Sequence, residues 1–136
     1  MKKIAALVPF ILLAAVSSAA SAADLRIAVD GAGKEGVLHF ALFDKEGFLR
    51  KPVAMARADK GAPLGEFRNL KPGSYALTVF QDLNGNGQLD RNLFGMPTEP
   101  FGFSNDAMGR MGPPDFDQAA IVVGAENRSV SVTLRH

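Results

Sequence analysis

Ser129-Val130-Ser131-Val132-Thr133-Leu134-Arg135 decides the fold class. Val130, Val132 and Leu134 fall on one side of an extended chain, and Ser129, Ser131, Thr133 and Arg135 on the other. Successive side chains of a strand point to opposite faces, so this stretch reads as a strand with one face in a core and one in water. Leu25, Ile27 and Val29 alternate with Arg26, Ala28 and Asp30 in the same way. Val37 to Phe43 is a second strand, apolar on both faces apart from His39, and Gly31-Ala32-Gly33-Lys34-Glu35-Gly36 makes the turn between them. Ser74 to Phe80 places Tyr75, Leu77 and Val79 on one side. Ala119 to Val123 is another strand, ending at Gly124, and a shorter one fits Leu64 to Leu70. The stretch Arg50 to Asp59 contains Pro52 and lacks a strong pattern; an edge strand is the expectation there.

About seven short strands separated by Gly, Pro and Asn turns, with no helical stripe, predict an all-β domain. The expected architecture is an antiparallel Greek-key β-sandwich of the immunoglobulin-like or prealbumin-like kind. Leu70-Lys71-Pro72-Gly73-Ser74-Tyr75 adds a local sign. A Pro-Gly turn followed by a Tyr entering a strand fits a corner in which the Tyr hydroxyl bonds nearby backbone; a plain Pro-Gly turn is the alternative.

The chain begins Met1-Lys2-Lys3, continues apolar from Ile4 to Val16, and then runs through small residues to Ala23. That three-part pattern is a signal peptide, with Ala20-Ser21-Ala22 as the cleavage site. The apolar run is shorter than the about 20 residues that a membrane span needs. The expected organisation is therefore a signal peptide over 1–22 and a single domain over 23–136, exported to the periplasm or the exterior. No membrane span is expected after cleavage. The precursor has 15 basic and 14 acidic residues; loss of Lys2 and Lys3 turns its net charge from +1 to −1. With no basic stripe, nucleic acid is not an expected partner. The chain has no cysteine, so disulfides cannot hold its long loops, and a bound metal is a candidate for that role.

Between Asp82 and Phe116 the strand pattern stops. Loops longer than about 15 residues are uncommon in compact domains unless functional or disordered. This one carries Leu83, Leu89, Leu93, Phe94, Met96, Phe101, Phe103, Met108, Met111 and Phe116. At that apolar density an ordered excursion with a small core of its own is expected, folded over one end or face of the sandwich.

The excursion opens Asp82-Leu83-Asn84-Gly85-Asn86-Gly87-Gln88-Leu89-Asp90, the pattern D-x-N-x-N-G-x-x-D. It matches the first nine positions of an EF-hand-type calcium loop. Calcium is a hard cation that takes about six to eight oxygens, and alternate side chains of a tightly wound loop converge on one point. Asp82, Asn84 and Asn86 supply oxygens in this reading, Gln88 its main-chain carbonyl, and Asp90 a direct or water-bridged ligand. Gly87 permits the sharp turn. The twelfth position, where a bidentate carboxylate belongs, is Leu93; Glu99 further on is the candidate substitute. The low ligand charge points to weak affinity, about 10⁻⁴–10⁻³ M, as in extracellular modules. Two Asn-Gly steps also make a metal-free turn, which is the competing reading.

Other chemistry has less support. His39 is the single internal histidine, and a lone strand histidine is ordinarily structural or on the surface. Ser104 has no base placed beside it by sequence, and a Ser-His-Asp arrangement would need His39 in reach. No glycine-rich phosphate loop follows a strand and opens a helix.

Leu70-Lys71-Pro72-Gly73-Ser74-Tyr75-Ala76, the Asp82–Asp90 loop, and Phe94-Gly95-Met96-Pro97-Thr98-Glu99-Pro100-Phe101-Gly102-Phe103-Ser104-Asn105 together resemble the bacterial domain of unknown function 2141 family of small exported proteins. The resemblance covers most of the chain after residue 22. It implies export and the fold class, and that Glu99, Ser104 and Asn105 form one unit with the Asp82 loop; it implies no reaction. The functional expectation is a non-enzymatic, calcium-stabilised module of the cell envelope that binds an envelope protein or a glycan. The alternative is a metal-dependent hydrolase of an envelope substrate, which predicts a deep pocket holding Asp82, Asp90 and Glu99. A third reading, a subunit of a larger envelope assembly, predicts an exposed apolar patch.

Overall fold

The computed structural model describes residues 22–59 and 61–136, together with Pro9. The expected signal peptide, apart from Pro9 and Ala22, lies outside the described residues. The first strand, β1, spans Ala23–Asp30; then follow β2 (Val37–Phe43), β3 (Ala54–Ala58), β4 (Leu64–Leu70) and β5 (Gly73–Asp82). After the excursion come β6 (Phe101–Phe103), a 3-10 turn at Ser104–Asp106, a one-turn helix α1 (Phe116–Ala119), β7 (Ile121–Val123) and β8 (Arg128–Thr133). One sheet has the order β4-β1-β8; the other has β3-β2-β5-β6, with β7 also pairing β5.

The two sheets face each other as in a β-sandwich. Period-two alternation sends Leu25, Ile27 and Val29 of β1 inward with Phe67 and Val132, against Leu38, Phe40, Leu42, Leu77 and Val79 of the other sheet. All ten are buried, and fully burying each contributes about 1.5–3 kcal/mol relative to exposure. Gln81 also faces inward and is buried. Its amide accepts from the Gly33 N–H at 3.2 Å and donates to the Gly33 and Glu35 carbonyls at 3.0 and 2.6 Å. A polar side chain in that position is tolerated because it fastens the turn between β1 and β2. The Tyr75 hydroxyl donates to the Lys71 carbonyl at 2.6 Å, so the Pro-Gly turn is the hydroxyl-bonded corner.

The structure departs from expectation in three places. Every strand pair is antiparallel except β1 with β8, which run parallel. β8 reaches β1 from the far side of the chain, so no tight turn forces them to oppose. The strand beyond the expected seven is β6, three residues inside the expected loop and too short to show alternation. The strand expected from Ala119 begins only at Ile121, because Phe116–Ala119 forms a helical turn. Gln118 accepts the Asp115 N–H at 3.0 Å there, the reciprocal half of a capping signal that Asp115-x-x-Gln118 carries in sequence.

β6 and β7 lie along the same edge of β5, at Thr78–Phe80 and Gly73–Tyr75. The ladder breaks between them at Leu77, and Ser104 fills the gap. Its buried hydroxyl accepts the Leu77 N–H at 2.9 Å and donates to the Ala119 carbonyl at 2.5 Å. Asn105 donates to the Gln118 and Ala120 carbonyls at 3.2 and 2.9 Å. The two sheets are also joined directly: Phe101 and Arg135 exchange main-chain hydrogen bonds at 3.1 and 2.8 Å.

Gly65 of β4 allows the tightest approach across the core. A Cβ there would lie 2.6–2.8 Å from the Phe40 ring. Gly65→Ala is expected to cost about 1–3 kcal/mol by overpacking, read as a lower denaturant midpoint. Phe40→Leu combined with Gly65→Ala should recover part of that loss, because the two changes share one contact. Additive losses in the double variant would contradict the assignment.

Candidate functional site

Asp82 ends β5, and strand parity turns its side chain to the outer face of the five-stranded sheet with Phe80 and Thr78. Its Oδ1 accepts the Gly85 N–H at 2.9 Å and its Oδ2 the Gly87 N–H at 2.7 Å. Gly85 and Gly87 have φ of 74° and 75°, a region open to glycine, and so the loop winds until both amides face one carboxylate. His39 Nε2 stands 3.1 Å from Asp82 Oδ2, its ring stacked on Phe80 with centroids 4.9 Å apart. Burial of Asp82 by itself raises its carboxyl. The Gly87 amide, the His39 ring and the Gly85 amide outweigh burial and hold the group below the usual aspartate range.

Glu99 is the second buried carboxylate. Its Oε2 accepts the Leu83 N–H at 2.6 Å and its Oε1 the Asp90 N–H at 2.9 Å. It therefore spans the two ends of the loop. Thr98 reinforces the closure, donating its N–H and hydroxyl to the Asp90 carbonyl at 2.8 and 3.1 Å.

Asn84 and Asn86 both turn their side-chain amides to the Asp90 carboxylate. Asn86 Nδ2 donates to Oδ1 at 2.7 Å, and Asn84 Nδ2 donates to Oδ2. Their own oxygens accept main-chain N–H groups, Asn84 from Asn86 at 3.2 Å and Asn86 from Gln88 at 3.0 Å. The Gln88 side chain is exposed. Three of the positions read as calcium ligands, Asn84, Asn86 and Asp90, thus meet at one point. Asp82 and Glu99 hold amides instead, each with lone pairs remaining. Among the described residues, no three His, Cys, Asp or Glu side chains converge as a metal group. The groups that face Asp90 are the Asn84 and Asn86 NH2 groups, not their oxygens, so for an oxygen-seeking cation to use these residues both amides would have to turn over.

Beyond Asp90 the chain makes a narrow projection. Arg91 and Pro97 bridge its base, and Asn92 Oδ1 accepts the Phe94 and Met96 N–H groups at 2.9 and 3.0 Å. Leu93 is 102%, Phe94 90% and Met96 61% exposed. The expected small core of the excursion does not form there. Met108 and Met111 are exposed as well. The packed aromatics belong to the sheet: Phe116 joins Ala76 and Ala119 with Phe48 and Phe103 against its outer face. The projection's own backbone is held locally, by the Arg91–Pro97 bridge and the Asn92 bonds, and its apolar side chains take no part in that cluster.

Ser104 and Asn105, grouped with the Asp82 loop by the family resemblance, serve the seam between β6 and β7. Glu99 alone of the three touches the loop. The Ser104 hydroxyl is taken by Leu77 and Ala119, and the His39 ring by Asp82, so the two do not meet. Two clefts at this end are lined by residues including Ala32, Gly33, Lys34, Glu35 and Gln81, with none of Asp82, Asp90 and Glu99. Sequence reading missed His39 beside Asp82, which depends on the pairing His39↔Phe80 and Val37↔Asp82. It also missed Thr98 and Asn92; Asn followed two and four residues on by turn amides is a local signal that could have found the latter.

Glu99→Gln retains one acceptor oxygen and sets an NH2 against a main-chain N–H. Loss of one charge-assisted bond is expected to lower stability by about 1–3 kcal/mol, seen as a lower melting temperature and faster proteolysis between Leu83 and Thr98. Unchanged melting would show that Glu99 does not close the loop. Among known proteins, no curated protein and no solved structure matches the chain. The family model for DUF2141, described as an uncharacterized protein conserved in bacteria, matches residues 27–131, and the chain belongs to that family.

Proposed function

We propose that the protein is an exported, calcium-stabilised β-sandwich module of the cell envelope with a non-enzymatic binding role. The observation that carries this reading is the meeting of Asn84, Asn86 and Asp90 inside a loop whose base two buried carboxylates hold shut. A cation held by the Asp90 carboxylate, with the Asn84 and Asn86 amides turned over to offer their oxygens, orders the loop further, which links metal binding to folding. The projection that follows offers Leu93, Phe94 and Met96 to a partner. Exposed apolar side chains on an ordered turn suit an envelope protein with an apolar recess better than a glycan. Export is supported by the position of β1: Ala23 is its first residue and is buried opposite Leu70, so cleavage after Ala22 removes nothing from the described sheets. Among the described residues no helix is long and apolar enough to cross a membrane.

A thermal melt of residues 23–136 in chelator and in millimolar calcium tests the metal. For a Kd of about 10⁻⁴–10⁻³ M, millimolar calcium is roughly one to ten times Kd, and the gain is about 0.4–1.4 kcal/mol, a shift of roughly a few degrees for a domain of this size. Asp90→Ala should abolish the shift while leaving the main-chain closures at Asp82 and Glu99 in place. Absence of any calcium-dependent shift in the unaltered protein would falsify the calcium reading.

A further inference from the structure

Asn84-Gly85 and Asn86-Gly87 are two consecutive Asn-Gly steps on an exposed loop. Such steps are chemically labile because glycine leaves the following main-chain nitrogen unhindered. That nitrogen, after losing its proton to a solvent base, attacks the Asn side-chain carbonyl carbon. An N–Cγ bond forms, the Cγ–Nδ2 bond breaks, and ammonia leaves a five-membered cyclic imide. Water then opens the ring at either carbonyl, to aspartate or to isoaspartate. The net change is an amide and water converted to a carboxylate and ammonium.

Both attacking nitrogens are engaged, and by the same residue. Gly85 N–H is held by Asp82 Oδ1 at 2.9 Å and Gly87 N–H by Asp82 Oδ2 at 2.7 Å. A carboxylate accepting an N–H bond opposes loss of that proton, since an anion would form beside an anion. The electrophiles are turned away as well: the Asn84 and Asn86 amides are fastened to Asp90, and their oxygens to the next main-chain amides but one. We infer that Asn84 and Asn86 are a paired deamidation site that the Asp82 carboxylate holds closed. Opening of that clamp releases both steps together. Each conversion to aspartate adds a carboxylate to a loop that otherwise carries Asp82 and Asp90; each isoaspartate inserts an extra main-chain carbon and breaks the winding. The inference needs no metal and stands apart from the calcium reading.

The purified protein is incubated in chelator at mildly alkaline pH, and the peptides around Asn84 and Asn86 are followed by mass spectrometry for replacement of –NH2 by –OH. Asp82→Asn removes the anionic acceptor. Glu99→Gln loosens the base of the loop and leaves that acceptor in place. Loss of a charge-assisted bond corresponds to about tenfold or more in rate, so Asp82→Asn should deamidate at both sites at least about tenfold faster than wild type, and Glu99→Gln should stay well below it. Equal rates in wild type and Asp82→Asn, or equal acceleration in both variants, overturns the proposal. Hydrogen exchange of the unaltered protein tests the same clamp should Asp82→Asn not fold: the Gly85 and Gly87 amides are expected to be protected although both residues are exposed. Exchange at open-chain rates overturns it.

Discussion

Two buried carboxylates set the shape of everything between β5 and β6. Asp82 gathers the amides of Gly85 and Gly87, and Glu99 gathers those of Leu83 and Asp90. Each of these bonds joins an ionised acceptor to a main-chain donor, the stronger class of hydrogen bond, about twice a neutral pair. A chain without cysteine has no covalent means of closing so long an excursion. It uses main-chain amides as the tethered groups and carboxylates as the anchors. The anchors differ in position: Asp82 continues a strand of the sheet, while Glu99 lies next to Pro100, whose carbonyl accepts the Gln81 N–H at 2.9 Å. Entry and exit of the excursion are therefore locked to neighbouring points of β5.

The same economy appears at the seam of β5 with β6 and β7. One strand edge accepts two short partners in succession, and Ser104 supplies the acceptor that a continuous strand would have offered the Leu77 N–H. The cost of leaving Leu77 N–H unpaired in a buried setting is about 1–3 kcal/mol, enough to make a small hydroxyl residue there structurally consequential. Asp106 extends the arrangement across to the other sheet, accepting the Thr133 N–H at 2.8 Å. The short side chains of Ser104, Asn105 and Asp106 thus stitch backbone to backbone.

Period-two alternation made most of the fold legible. The strands at Leu25–Val29, Ser74–Phe80 and Ser129–Arg135 were readable because each alternates, Val37–Phe43 because it is a short apolar run bounded by a glycine turn, and the stretch after Pro52, which lacks a strong pattern, only as an edge strand that proline permits. What escaped was either too short for a period, as β6 is, or set by pairing that sequence does not encode locally, as with the parallel run of β8 along β1. The site divides the same way. Asp82, Asn84, Asn86 and Asp90 are visible from spacing because the loop is local, and Asn84 and Asn86 do converge on Asp90. That Glu99 lies at the loop was visible only as a nearby acid; that it holds two amides depends on how the chain returns. His39 against Asp82 depends wholly on the register of β2 with β5.

The projection at Leu93 runs against the rule that made the strands readable. Burying Leu93 and Phe94 would be worth about 1.5–3 kcal/mol each, yet both side chains stand in water. The base beneath them is tied at Arg91 and Pro97 and through the Asp90 amide and carbonyl that Glu99 and Thr98 hold. Of these bonds the one from the Asp90 N–H to Glu99 is to a charged group, the class worth about 1.5–3 kcal/mol. The exposed tip thus stands on a base and a turn that hydrogen bonds hold in shape. An apolar surface held out in this way loses little conformational entropy when a partner covers it, which is the condition under which a small contact can contribute appreciably to binding.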